Sequence, residues 1–324
     1  MTIRWGILGA SGFALSDMGP AIHLARGSAL VALATRDPAK AAPFEALAPG
    51  LRVHGAYDDL LADPEVDAVY VPLPHTMHVE WGVRALEAGK HVLVEKPAAM
   101  SAGAIQPLID ARDRSGLVAA EAYMIVHHPQ WHRVRALLAE GAVGRLRHVE
   151  AVFTYDNSDD PGNIRNAAAT GGGALPDVGV YTYGSTRFAL GAEPEVIHAD
   201  IDWEAGCDVV ARVSARFPDG VSAHWVNAMR MIREQFILFH GDAGLIRMTA
   251  PYNPGRFGEA RVEVVTGSRT VVERWPDVNQ YVLQVEAFAA AVRGEAAFPW
   301  TLEDARGTQA VIDAAYAAAG GRPA

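Results

Sequence analysis

The sequence predicts an α/β protein of two domains: a parallel βαβ domain over residues 1–122, then an α/β domain over 123–324 with a large open, mainly antiparallel sheet. Three observations predict it. The chain has 324 residues, against the ~100–200 of a typical domain. Up to Ala122, short apolar runs alternate with segments of helical period, as parallel βαβ units require. Beyond it, longer strand-like runs follow one another across tight turns.

The elements follow from these patterns. In the first domain strands are expected at 3–8, 30–35, 67–71, 91–94 and 117–120, with helices at 20–26, 38–48, 77–88 and 102–115 between them. Gly89 follows the third helix as a closing residue, and Asp58 and Ser101 fit as N-caps. In the second domain a helix at 130–140 precedes strands at 146–154, 196–201, 208–217, 221–228, 236–240, 244–248, 261–265 and 270–274. Pro218-Asp219-Gly220 and Gly241-Asp242-Ala243-Gly244 read as turns between alternating runs. Residues 281–292 and 302–318 close the chain as helices.

Composition excludes several classes of function. Lys plus Arg is 28 and Asp plus Glu 38, a net charge of −10. No basic block is present, so neither nucleic acid nor an anionic membrane is an expected partner. Half the residues are hydrophobic and 20% are charged, as in globular proteins. The one cysteine, Cys207, forms no internal disulfide and has no basic surroundings to activate it. No apolar run reaches the ~18 residues of a membrane span. The chain enters its first strand at once, so no secretory leader is expected. The expectation is a cytoplasmic enzyme.

The first chemical signal follows the first strand. Gly9-Ala10-Ser11-Gly12-Phe13-Ala14 resembles the glycine-rich turn of a Rossmann domain, with Ser11 in place of the second glycine. Such a turn brings backbone N–H groups and a helix N-terminus against a pyrophosphate. NAD-selective sites carry Asp or Glu at the end of the second strand. Here Thr35-Arg36 stands there, with Lys40 a turn later. Arg36 suits a 2′-phosphate, so NADP is the expected cofactor and NAD the alternative.

Further on, Val71-Pro72-Leu73-Pro74, His78, and Ala85 through Glu95-Lys96-Pro97 resemble the Gfo/Idh/MocA oxidoreductase family. The likeness continues through Glu121-Ala122-Tyr123-Met124 and His128-Pro129-Gln130 to Gly171-Gly172-Gly173 and Asp177-Val178-Gly179-Val180-Tyr181. With Asn163-Ile164-Arg165 upstream, the Tyr181 form is most similar to the branch holding glucose-fructose oxidoreductase and the xylose and dimeric dihydrodiol dehydrogenases.

The resemblance implies an active site in the cleft between a Rossmann domain and an open-sheet domain, with the last helix packing back on the first. It implies that Lys96 and Tyr181 bracket the carbon that exchanges hydride, that Asp177 borders the site, and that the Lys96–Pro97 bond is cis. Glu95, Lys96, Pro72, Leu73, Pro74, His75 and His78 would line the cofactor, with Arg165 reaching it from the second domain. Tyr181 would exchange the hydroxyl proton, and a neighbouring Lys96 ammonium would ease its ionisation. Asp177 would hold Lys96 or a substrate hydroxyl. Departures fall around the substrate pocket: Ile125-Val126 replaces a common Tyr-Arg, and Pro176 and Gly184 replace bulkier or polar residues.

Other motifs carry less. His127, His128 and His132 lack a carboxylate to complete a metal site, so no metal is expected. Glycines 171–173 lack the Lys-Ser/Thr of a P-loop and read as a flexible loop. An apolar second face on the C-terminal sheet would suit a homodimer or homotetramer. The expected activity is NADP(H)-linked hydride transfer to or from a sugar, polyol or related vicinal diol. The alternatives are a dinucleotide-binding sensor without turnover, and an oxidoreductase whose tightly held cofactor couples two half-reactions.

Overall fold

A computed structural model describes residues 1–322. The chain folds as two compact units, Met1–His127 with Asn279–Arg306, and His128–Val278 with the chain from Gly307 onward. The sequence placed the cut after residue 122. The chain stays with the first unit to His127 because Tyr123 stacks on Trp300 at 4.6 Å and His127 packs on Phe298 at 5.1 Å.

The first unit is built on six parallel strands: β1 Ile3–Leu8, β2 Ser28–Ala34, β3 Arg52–His54, β4 Ala68–Val71, β5 His91–Val94 and β6 Ala119–Glu121. Their order is β3-β2-β1-β4-β5-β6, and every pairing is parallel. Five helices intervene: α1 Gly19–Leu24, α2 Ala42–Leu47, α3 Tyr57–Leu61, α4 His78–Glu87 and α5 Gln106–Ser115. Strands covered on both faces must be apolar at nearly every position, and β1 is: Ile3, Trp5, Ile7 and Leu8 are all buried. One face packs Leu8, Val69, Val71, Val92 and Val94 under Leu60, Trp81, Leu86 and Leu108. On the other, Trp5 meets Phe288 at 5.0 Å. Asp58 is not the cap of α3, which starts one residue before it; it pairs with Arg84 at 2.6 Å. Ser101 accepts from the Ala104 N–H as expected.

The second unit carries α6 Pro129–Ala139, α7 Val180–Leu190 and eight strands. These are β7 Leu146–Asp156, β8 Val196–Glu204, β9 Cys207–Arg216, β10 Ser222–Ala228, β11 Arg230–Gly241, β12 Leu245–Met248, β13 Arg261–Thr266 and β14 Arg269–Arg274. The order is β14-β13-β12-β11-β7-β10-β9-β8. All neighbours are antiparallel except β7 and β10, which run parallel. One face buries Val149, Ala151, Phe153, Trp225, Ile237 and Phe239, while Val152, Val226, Phe236 and Leu238 on the other are half-buried. α8 Gln280–Val292 then returns to the first unit, and α9 Leu302–Ala318 starts in the first and finishes in the second. No helix among the described residues is long and apolar enough to cross a membrane.

Candidate active site

In the order β3-β2-β1-β4-β5-β6, direction of travel reverses between β1 and β4, and ligands of such sheets bind at the carboxyl ends of the strands there. The residues expected at the cofactor in the first unit lie along that edge. Gly9 to Phe13 follow β1, Thr35 and Arg36 follow β2, Pro72 to His75 follow β4, and Glu95 to Pro97 follow β5.

Gly9 must be glycine: its φ is +100°, and a Cβ would lie 2.9 Å from the Leu73 side chain. The helical turns then begin at Gly12 and run to residue 24, with a wider π-turn over Ala14–Met18. Ser11 is their N-cap, its Oγ accepting from the Ala14 N–H at 3.1 Å. A Cβ at Gly12 would meet nothing within 4 Å. This cradle beside a helix N-terminus fits a dinucleotide pyrophosphate. The Phe13 ring is spent on packing, edge-on to Tyr281 at 5.6 Å.

At the end of β2, the Thr35 hydroxyl and the Asp37 backbone are joined at 3.2 Å. The Asp37 carboxylate accepts from the Ala39 N–H at 3.0 Å, so it shapes the turn. Arg36 and Lys40 are exposed beside it. A cation where NAD-selective sites carry an acid fits a 2′-phosphate.

Sequence reasoning expected His78 to line the cofactor. Instead it is fully buried, with Nδ1 2.8 Å from the Pro97 carbonyl and Nε2 2.8 Å from the Leu73 carbonyl. Burial and the nearby Lys96 hold its pKa below the ordinary value. His78 therefore ties the loop after β4 to the stretch after β5. His75 is half-buried, its ring 5.6 Å from that of His78.

Lys96 is 9% exposed, its N–H donating to the Glu95 carboxylate at 3.1 Å. The other Glu95 oxygen accepts from the Tyr70 hydroxyl at 2.5 Å. The Lys96–Pro97 bond is cis.

In the second unit, glycines 171–173 are not the flexible loop the sequence suggested. All three are buried; Gly173 has φ +135°, and a Cβ on it would strike the Asp208 carboxylate. A Cβ on Gly172 would strike the Arg165 carbonyl. The segment is packed so closely because Asp208, itself buried, accepts from the Leu175 N–H at 2.6 Å and the Tyr316 hydroxyl at 2.7 Å. Burial lifts the Asp208 carboxyl to about 6, against the pull of those bonds.

The helical turn so anchored, a π-turn over Leu175–Gly179, presents Asp177. Asp177 pairs with the Arg165 guanidinium at 2.9 Å and accepts from the Tyr155 hydroxyl at 2.7 Å. Arg165 thus lies against Asp177, and together with burial this acid pushes the Tyr155 phenol above its ordinary range. Tyr181, 6% exposed, heads α7 with its ring 5.6 Å from Phe153 and 5.7 Å from Tyr252. It also lies within electrostatic reach of Arg165, whose proton Asp177 and Tyr181 both hold more tightly.

Tyr155, which the sequence did not single out, joins Asp177 and Arg165. Tyr155 ends a strand whose alternation signals only which face it occupies. Among the described residues no three His, Cys, Asp or Glu side chains gather to hold a metal. His128 instead caps α6, its Nδ1 accepting from the Gln130 N–H at 3.1 Å, and burial lowers its pKa to about 4.

Residues 3–123 match the model of an oxidoreductase family with an NAD-binding Rossmann fold, and residues 131–247 match the GFO/IDH/MocA C-terminal domain. The chain belongs to the Gfo/Idh/MocA oxidoreductase family. It is 34% identical, over 96% of its length and 94% of the relative's, to a dTDP-3,4-didehydro-2,6-dideoxy-alpha-D-glucose 3-reductase of Actinomadura kijaniata. It is 30% identical to D-xylose 1-dehydrogenase (NADP(+)) 2 of Haloferax volcanii, over 98% and 97%. It is also similar to the crystal structure of a 3-ketoreductase from Actinomadura kijaniata in complex with NADP and TDP-benzene. The TM-score is 0.90 and the identity 32%, with 97% of each chain covered. This Gfo/Idh/MocA protein thus lies in the branch that holds the xylose dehydrogenases.

Proposed function

We propose that this protein is a cytoplasmic, NADP(H)-dependent oxidoreductase that exchanges hydride with a secondary alcohol of a sugar, polyol or related vicinal diol, or with the matching ketone. The observation that carries the reading is the strand-end row: a glycine cradle open at Gly12, an exposed Arg36 in place of an acid, and a nearly buried Lys96. Relatives that reduce a deoxysugar ketone or oxidise D-xylose with NADP support the substrate class.

The nicotinamide, when bound, supplies the hydride acceptor or donor. Gly9, Ser11, Gly12 and the backbone of Phe13 hold the pyrophosphate, and Arg36 with Lys40 takes the 2′-phosphate. Thr35, Glu95, Pro72, Leu73, Pro74 and His75 shape the rest of that surface, and His78 fixes it from beneath. Lys96 steadies negative charge on the substrate oxygen. Tyr181 takes the hydroxyl proton in oxidation and returns it in reduction. Phenol is a weak acid, with a reference pKa of about 10, and the Arg165 cation beside Tyr181 favours its phenolate. Asp177 holds Arg165 in that place, a role in keeping with its ion pair. The half-buried apolar face of the eight-stranded sheet supports a homodimer or homotetramer.

The test is turnover of a sugar and diol panel followed by absorbance of the reduced nicotinamide. Lys96→Met and Tyr181→Phe are expected to bind NADP as the parent does and to lose about a hundredfold or more in kcat. Parental turnover in either variant refutes that residue's role. Sedimentation at several protein concentrations reads the assembly; a monomer throughout refutes it.

A further inference from the structure

Lys96 lies outside regular secondary structure, so something other than the sheet must fix it. Three contacts do so, two of them buried. Glu95, braced by Tyr70, holds the Lys96 N–H. Beyond the lysine, the Pro97–Ala98 peptide is gripped at both ends: His78 lies 2.8 Å from its carbonyl, and Glu121 accepts its N–H at 2.8 Å. The other Glu121 oxygen accepts from Trp300 Nε1 at 2.9 Å. Glu121 itself, the last residue of β6, pairs with Val94 at the end of β5 and is 1% exposed.

We propose that Glu121 is a positioning residue for Lys96, holding it at its working place through the Ala98 N–H and only while its carboxylate is ionised. The inference rests on the reading of Lys96 as the residue that steadies the substrate oxygen. A carboxylate offers acceptors on both oxygens, which two N–H donors from opposite sides require. Protonation puts an O–H on one oxygen, and either Ala98 or Trp300 is then left with a much weaker acceptor. Glutamine meets the same difficulty, since its amide N–H₂ would face one of the two donors.

The charged groups facing Glu121 are Glu95, which opposes its ionisation, and Lys96, which favours it. His78, on the far side of the same peptide, has its pKa lowered chiefly by burial. Burial, the largest influence, raises the Glu121 carboxyl to about 7, where physiological pH divides it between both forms. The proton that leaves Glu121 goes to solvent, and no redox partner is needed.

The experiment compares kcat against pH in the parent, Glu121→Gln and Glu121→Gln/Trp300→Phe, the second relieving the amide of its opposing donor should the first fail to fold. The parent is expected to lose activity on acidification through about pH 7. In both variants that acid limb disappears, with the KM for NADP unchanged. The plateau falls about tenfold to a hundredfold in Glu121→Gln, as a misplaced reacting group would cause. It stays nearer the parent's in the double variant, whose amide oxygen is free to accept the Ala98 N–H. Infrared difference spectra of the cofactor-free protein should show a buried carboxyl titrating in the same range, absent from both variants. An unchanged acid limb in the double variant, or no such carboxyl in the parent, overturns the proposal. Normal turnover in Lys96→Met removes the parent reading and this one with it. An inactive Lys96→Met beside an unaltered pH profile in the double variant removes this one alone.

Discussion

Gly12→Ala is expected to raise the stability of the cofactor-free protein while weakening its hold on NADP. Gly12 stands in the first turn of a helix, and a Cβ there meets no atom within 4 Å. Its φ also lies outside the left-handed range. In a helix, Ala gains up to ~0.5–1 kcal/mol over Gly, so the melting temperature should rise by about 1–3 °C. The same methyl group must share its space with the pyrophosphate. An intrusion costing ~1.4 kcal/mol weakens binding about tenfold. Differential scanning fluorimetry of the cofactor-free protein and fluorescence titration with NADP read the two effects separately. Equal NADP affinity in parent and variant would refute the argument, because the open space at Gly12 would then not be where phosphate sits. Gly9→Ala is the control, with strained φ and a crowded Leu73, and it should lose stability and affinity together.

Arg36→Ala should weaken NADP about tenfold or more, the worth of charge-assisted bonds, and leave NAD unchanged; a parallel loss of both would show that the guanidinium does not read the 2′-phosphate. Gly173→Ala places a Cβ at φ +135° against Asp208, and strain with displacement of a buried acid should destabilise by about 2–4 kcal/mol. A melting temperature within error of the parent would contradict that packing. For Asp208 the folded pKa is about 6 against an ordinary 3.8, so folding favours its protonated form. Its stabilising effect is complete below the unfolded value and is lost as pH rises through the folded one, by up to ~3 kcal/mol. Melting curves of parent and Asp208→Asn should therefore diverge, to the parent's disadvantage, from about pH 4 to about pH 7. A constant gap across that range would show that Asp208 does not titrate there.

The strands were legible because burial on both faces, or on one, imposes a pattern on consecutive residues. β1, β5 and the second-unit strands from Leu146 to Arg274 show it, with ends shifted by a few residues. β3 was missed since three residues, Arg52 to His54, carry no period. The cofactor turn was legible for a related reason: Gly9 answers a backbone demand, and Arg36 occupies a position that topology defines. What stayed hidden depends on pairings across the chain. Nothing near Glu121 points to Trp300, and nothing near His78 announces that both ring nitrogens will meet carbonyls. Glycines 171–173 were misread because glycine signals either looseness or lack of room, and only Asp208 and the Arg165 carbonyl show that lack of room decides.

The return of Asn279–Arg306 to the first unit has a consequence for synthesis. Trp5 needs Phe288, Phe13 needs Tyr281, and Glu121 and Tyr123 need Trp300. The nucleotide-type unit thus holds Met1–His127 and is completed only by Asn279–Arg306, which is made after all eight strands of the other unit. From His127 to Arg306 are 306 − 127 = 179 residues, roughly 10–40 s of translation at about 5–20 residues per second. Through that interval Trp5 and Tyr123 wait without their partners, while the intervening eight-stranded unit is still emerging. Neighbours in the fold are thus far apart in the order of manufacture, and the nascent protein bares Trp5 and Tyr123 where the finished one buries them completely.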